Sequence, residues 1–351
     1  MFSKTRNTKG HIGIAIHDGG VVLGQCAWKN GLYSNPHVAR IEQNPRELTA
    51  DCWRSFMGKT SMLGSECVLS LPPSIAHHQV LQLPNMKPSE LKEAASWEMA
   101  DRLGVERATL QMDAIPVGSG GDVLAIAIEQ STLTELLDPL YSAGLRPTVI
   151  EPSCISVART LSMLHRRQSD SENVRTVFDF GMHDSALMVL AGDSLVFYKH
   201  LIHSGLQLIE SVSSHTQVTK EQAKRMIDDI QSTASEDDVS KAVRDATRAT
   251  HEAIATDAMK CIRHYGVTNR GPLSTKLIVT GSAGWNPFLA KTLSNACSQN
   301  VVHDHMAPHI QALEEGVTNT GGWHVALGAS LACLSTCRQR RGSDSTIKEA
   351  A

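Results

Sequence analysis

The chain has 351 residues, of which 41% are hydrophobic and 20% charged. That length exceeds one small core and predicts two domains or a split fold. A net charge of −3 and an aromatic content of 4% exclude a strongly basic nucleic-acid surface and a row of base-stacking rings.

The N-terminal MFSKTRNTKG is charged and no apolar stretch follows it, so it is not read as a secretion signal. No apolar run reaches the roughly 20 residues needed to cross a bilayer. Direct membrane insertion is not expected, and a membrane connection would run through a partner. IGIAI (12–16) and VVLGQCA (21–27) are short apolar runs split by His17-Asp18-Gly19-Gly20, a β-hairpin pattern. ECVLSL (66–71) predicts a strand ended by Pro72-Pro73.

An α-β-β-α-β block follows. Pro88 suits the first position of a helix, Leu91, Ala95, Met99 and Leu103 recur every fourth residue, and Gly104 is a stop. Residues 108–117 and 122–129 read as strands. Thr132 and Glu135 have capping-box spacing for a helix that Gly144 ends, with Pro139 as a kink. Residues 147–151 close the block as a strand, so 85–150 reads as a small inserted subdomain. Trp97 on the first helix of this block is read as core, with a partner groove as its other use.

Residues 151–167 predict a helix, and QSDSEN reads as a linker. A second hairpin follows, with strands at 174–180, 186–190 and 194–200. Residues 206–267 are mostly helical and polar. A buried strand is expected at 276–280, a turn at 281–284, a helix at 287–299 and a final apolar helix at 323–337. The last residues, 338–351, read as a disordered tail. The eight cysteines include no C-x-x-C pair and read as reduced core residues of a cytosolic protein.

There is a weak internal repeat. Ile14-Ala15-Ile16-His17 holds the place in the first hairpin that Phe178-Asp179-Phe180-Gly181 holds in the second. Two related hairpins suggest a duplicated α/β fold with a cleft between its halves. The Asp179-Phe180-Gly181 triplet is no kinase signature, since no Gly-rich loop, V-A-I-K strand or His-Arg-Asp loop accompanies it.

Several pieces in order carry a family resemblance: LPPSIAHHQVLQLPNMKPSELKEAASWEMADRLG, AGLRPTVIEPSCISVARTL, VFDFGMHDSALMVLAGDSLVFYKHLIHSGLQL, KCIRHYG, LIVTGSAGWNPFLAKTLS and GWHVALGASLA. Together they span nearly the whole chain. The chain resembles the PilM family of type IV pilus assembly proteins, within the actin-like ATPase superfamily. The resemblance implies a duplicated two-domain α/β fold with an inserted subdomain, ribonuclease H-like in each half. Its divisions are 10–84 and 151–173 in the first domain, with 85–150 inserted. The second domain takes 174–205 and 272–322, with a helical subdomain at 206–271. Residues 323–337 return to the first domain.

The resemblance also implies a cytoplasmic protein, recruited to the inner face of the membrane, that grips the N-terminal cytosolic tail of a PilN-like inner-membrane protein. That tail would lie against the inserted subdomain and its carrier domain. Pilus motor or platform proteins are further partners under this reading, and nucleic acid is not one.

Actin-like sites hold a nucleotide with two hairpin turns, and carboxylates anchor hydrated Mg²⁺. The second hairpin is a fair match: Asp179 and Gly181 stand at the family's Asp-x-Gly, and Ser185 replaces a usual Thr; a plain β-turn with Asp and Gly as turn residues is the other reading. The first is not a fair match. Ala15 falls at the carboxylate position and His17 at the glycine. Asp18, Gly19 and Gly20 supply the motif only if the strand slips by three residues, which exchanges its faces. Gly281-Ser282-Ala283-Gly284 resembles the adenosine-side turn with two glycines lost. Lys224 and Ile227 align at the family's ribose- and base-binding Glu and Lys.

These departures favour a scaffold with little or no ATP hydrolysis, ATP and Mg²⁺ binding weakly if retained. The alternatives are an ATP-dependent switch and, more weakly, a sugar-kinase-like phosphotransferase. His303, His305 and His309 read as solvated loop residues rather than metal ligands. His77 and His78 are expected on opposite faces of a strand.

Overall fold

The computed structural model describes residues 8–17, 19–29, 32–84, 86–118, 121–162, 173–192, 194–232, 237–269, 273–281, 283, 286–303 and 322–333. The chain opens with β1 (Thr8–Lys9), β2 (Ile12–His17), β3 (Gly20–Lys29), β4 (Leu32–Ile41), α1 (Ala50–Met57) and β5 (Glu66–Leu71). Next come β6 (His77–Gln82), α2 (Pro88–Leu103), β7 (Leu110–Val117), β8 (Asp122–Glu129), α3 (Gln130–Ser142), β9 (Arg146–Pro152) and α4 (Ser153–Ser162). The second half holds β10 (Val174–Phe180), β11 (Ser185–Ala191), β12 (Ser194–Leu201), α5 (Gly205–Thr216), α6 (Lys220–Ser232) and α7 (Asp238–Asn269). It ends with β13 (Lys276–Thr280), α8 (Pro287–Cys297), β14 (Asn300–His303) and α9 (Trp323–Ser330).

Two sheets repeat one topology. In the first, β3 pairs antiparallel with both β2 and β4, and β5 and β9 extend it in parallel on the other side of β2. In the second the order is β12-β11-β10-β13-β14, antiparallel across β10–β12 and parallel beyond. The predicted equivalence of the hairpins holds residue by residue: Ala15 lies beside Ser70 of the parallel neighbour strand, and Asp179 beside Thr280. This is the duplicated actin-like fold.

Strand alternation decides what each face meets. Ile12, Ile14 and Ile16 point into a core shared with Leu69, Trp53 of α1 and Leu136 of α3. Ala15 and Val22 face the opposite layer, where Trp323, Ala326 and Leu327 of α9 cover them. Phe178 and Phe180, their rings stacked at 5.4 Å, bury against Leu208, Ile227, Ile254 and Leu289 of α5–α8. Burial of each such ring contributes roughly 1.5–3 kcal/mol. Val177 turns the other way, toward Cys154 and Val157 of α4. The layer between the sheets is thus α4 and α9.

A third sheet, β6-β8-β7, is inserted after β5. Ala95 and Met99 pack α2 onto Leu81, Ala125 and Ala127, and Gly104 ends the helix with φ 66°. The other face of the sheet reaches the second domain: Val117 and Leu124 cluster with Leu195 and Tyr198 of β12.

Three expectations change. The strand at 147–151 belongs to the first sheet as β9, paired with β5, while β6 joins the insertion. Helix α3 starts at Gln130, before Thr132, so the proposed capping box is not its end. The helix expected from 151 starts at Ser153, because Glu151 continues β9 beside Ser70. None of the described cysteines is in a disulfide. Cys337, His305, His309 and the tail at 338–351 lie outside the described residues.

Candidate functional site

In the first hairpin, His17 pairs with Gly20, which leaves a turn of two residues, Asp18 and Gly19; Asp18 lies outside the described residues. The β2–β3 ladder runs without a register shift from Gly13 to His17, and Ala15 pairs with Val22. Ala15 is 2% exposed in an apolar cluster with Val22, Val38, Trp323 and Leu327. Neither Ala15 nor its cluster offers a carboxylate. Gly20 has a structural use, since a Cβ there would sit 2.0 Å from the Ile41 carbonyl of β4. His17 sits with its ring near Gly19 and Gly322. Burial, then the Arg40 and His183 charges, push its pKa down to about 4.

The second turn is longer. Phe180 pairs with Ser185, enclosing Gly181, Met182, His183 and Asp184. Asp179 accepts a 2.9 Å hydrogen bond from Thr280 Oγ1. Burial raises its pKa, and Asp184 adds to the rise. Gly181 N–H closes the turn onto Asp184 O at 2.9 Å. The Ser185 hydroxyl donates to the His203 carbonyl at 2.7 Å. The N-terminal amides of α5, a natural anion site, are already taken: Gly205 donates to Gly181 O and Leu206 to Met182 O. Asp184 Oδ2 accepts from the Ser74 amide at 3.0 Å, tying the second turn to the β5–β6 connection of the first domain.

At the turn after β13, Gly281 (φ 93°) crosses the Phe180 backbone, where a Cβ would lie 2.4 Å from its carbonyl oxygen. Ala283 N–H donates to the same carbonyl at 2.9 Å. Ser282 and Gly284 lie outside the described residues. Lys224 forms an ion pair with Asp228 on α6, and Ile227 is core. The structure therefore brings together Asp179, Gly181, Thr280 and Gly281, and sets Ser185 and Gly20 to structural tasks. Sequence reading missed Thr280 and Asp184, the first a strand-end threonine and the second the last residue of the turn. No described group of His, Cys, Asp and Glu could hold a metal ion.

A second surface lies on the insertion. Trp97 is 62% exposed, against the expectation that it is core, because Ala95 and Met99 take the buried face of α2. The Arg107 guanidinium lies 4.8 Å from the Trp97 ring centroid. Beside it, Val105, Ala108, Thr109, Glu129, Gln130 and Ser131 line an open groove of about 590 Å³. The groove joins the insertion to the start of α3, which packs on α1 and β9. His77 is exposed and His78 buried, on opposite faces as expected; His78 Nδ1 lies 3.3 Å from the Tyr198 hydroxyl. No described helix is long and apolar enough to cross a membrane.

No protein-family model matches the chain, and no curated protein matches it. Among solved structures it is similar to a chain of the PilM-PilN type IV pilus biogenesis complex, with 18% identity and a TM-score of 0.72, covering 92% of this chain and 98% of that one. It is also similar to the ethanolamine utilization protein EutJ from Carboxydothermus hydrogenoformans, with 13% identity and a TM-score of 0.53, covering 94% and 92%. At these identities the likeness establishes the fold alone, which this chain shares with both structures.

Proposed function

We propose that the chain is a PilM-like cytoplasmic scaffold of a type IV pilus or related secretion assembly. It holds the N-terminal cytosolic tail of a PilN-like inner-membrane protein, and it works without a nucleotide-driven step. Its place is the inner face of the membrane, through that partner.

One observation carries the scaffold reading. At the strand position where an actin-like site needs its metal-anchoring oxygen, Ala15 is sealed beneath Trp323. Three features support it: the first turn is short, the α5 amides are spent on the second turn, and Asp184 is held by Ser74. For the partner, the support is the fold shared with the PilM-PilN complex, together with the Trp97 surface and groove on the insertion. An extended tail docks there through backbone hydrogen bonds and a bulky apolar anchor beside Trp97. Exposed Trp and Arg side chains are the usual anchors of such contacts.

The test is fluorescence anisotropy with a labelled peptide carrying the first residues of the PilN-like protein from the same cell. Micromolar binding is expected, with Trp97→Ala and Ala108→Arg each weakening it about tenfold or more. Absence of binding, or affinity unchanged by both variants, contradicts the reading. The ATP-switch reading has one observation in its favour, the inward carboxylate of Asp179 beside Thr280.

A further inference from the structure

The far end of the first sheet, away from the hairpin turns, holds a constellation that the scaffold role does not use. Cys333, just past α9, places Sγ 3.2 Å from His11 Nδ1. The other ring nitrogen, His11 Nε2, lies 3.2 Å from Glu66 Oε2 at the start of β5. Thr148 Oγ1 of β9 lies 3.1 Å from His11 Nδ1 and 3.2 Å from the Cys67 carbonyl. With Nε2–H directed at Glu66, Nδ1 is the acceptor that faces the Cys333 thiol and the Thr148 hydroxyl. Thiol, imidazole and carboxylate stand in line, the order in which a base removes a thiol proton and a third group orients the base.

Four of the other described thiols differ. Cys26, Cys67 and Cys154 are buried, and burial pushes all three upward, the first two to about 12. Cys52 is partly exposed and lowered by hydrogen bonds from Thr49, which is not a base. Burial raises the Cys333 thiol as well. Such a thiol stays protonated until a base in contact takes its proton, and the thiolate then released is a strong nucleophile. Arg146, exposed and 3.8 Å from Glu66, adds a positive charge at the rim.

We infer that Cys333 is a thiol-modification site for low-molecular-mass disulfides bearing carboxylates, with His11 as general base and Glu66 as its positioning residue. His11 Nδ1 takes the S–H proton. The Cys333 sulfur attacks one sulfur of R–S–S–R, forming Cys333–S–S–R as the old S–S bond breaks. The departing R–S⁻ takes the proton from His11. Cys333 is oxidised and the leaving sulfur is reduced.

The experiment exposes the full chain to oxidised glutathione at neutral pH and follows mixed-disulfide formation at each cysteine by peptide mass mapping. Cys333 is expected to react well ahead of Cys26, Cys67 and Cys154. His11→Gln should slow Cys333 by about a hundredfold, the usual contribution of a general base, and leave the Cys52 rate unchanged. Glu66→Ala should slow Cys333, and Glu66→Gln, which keeps an acceptor for Nε2–H, should restore most of the rate. A Cys333 no faster than the buried thiols overturns the inference. So does a Cys333 rate equal in wild type and His11→Gln, or a Glu66→Gln rate equal to that of Glu66→Ala. Silence of the three buried thiols reports that each variant is folded.

Discussion

Replacing Ala15 with aspartate separates a site that lacks one carboxylate from a site that is closed. The methyl group is 2% exposed, among Val22, Val38, Trp323, Ala326 and Leu327. A carboxylate there loses its water and gains no partner from that cluster. Burial raises such a group by about 3 to 5 pKa units, which drives it neutral near pH 7. At 1.36 kcal/mol per unit, about 3 units cost about 4 kcal/mol of stability at neutral pH. Against a total of about 5–15 kcal/mol, that brings the chain near unfolding. Urea denaturation followed by circular dichroism measures the loss. Ala15→Asn, which adds a similar shape without charge, should cost about 1–3 kcal/mol. Calorimetry should detect no Mg-ATP binding to the aspartate variant. A variant as stable as wild type that binds Mg-ATP tightly would refute the reasoning, since Ala15 would then open into a working metal site.

Other outcomes follow from packing and charge. In Gly13→Ala the new Cβ would lie 1.9 Å from the Ala326 carbonyl, so α9 must lift from β2. Urea denaturation should show a loss of about 3 kcal/mol or more, and a neutral change would contradict the close approach of α9. Arg159 and Glu151 form a bidentate pair at 2.6 and 2.8 Å, mostly buried. Arg159→Met should cost about 3–5 kcal/mol, and adding Glu151→Gln should recover much of it. Stability should also fall on acidification. His17 and His251 are held at about 4 and His78 at about 3, against an ordinary 6.5. Between pH 6.5 and about 4 the unfolded chain binds protons that the folded chain does not. The unfolding free energy therefore drops with falling pH, with a slope approaching about 4 kcal/mol per unit for the three together. Asp179, raised by burial, works in the opposite sense. His78→Gln should reduce the slope by about a third, and a flat profile would contradict these burials.

The hairpins were legible because their apolar runs are short, uninterrupted and split by turn residues. β5, β8 and β13 were read at their observed bounds for the same reason. The repeat was legible because Ala15 and Asp179 hold one register in two copies of a sheet. β4 was not anticipated: LYSNPHVARI carries Asn35 and Pro36, which read as loop. They fall where the β3–β4 register shifts, at a bulge on an edge strand, where proline is tolerated. The limits of the insertion were missed because β9 and its neighbours share one local pattern, and only the long-range pairing with β5 assigns the strand. Trp97 was misread because helical spacing puts it near apolar residues without saying which side of α2 faces the sheet. The Cys333–His11–Glu66 array left no local signal, since its members stand 322 residues apart at the extreme and meet only through the fold.

The central claim is that the fold supports a partner without a nucleotide step. Its most direct test is the affinity of the tail peptide for the wild-type chain, measured with and without millimolar Mg-ATP. The account predicts one dissociation constant under both conditions. A shift of about tenfold, equivalent to about 1.4 kcal/mol of coupling between cleft and tail site, would contradict it.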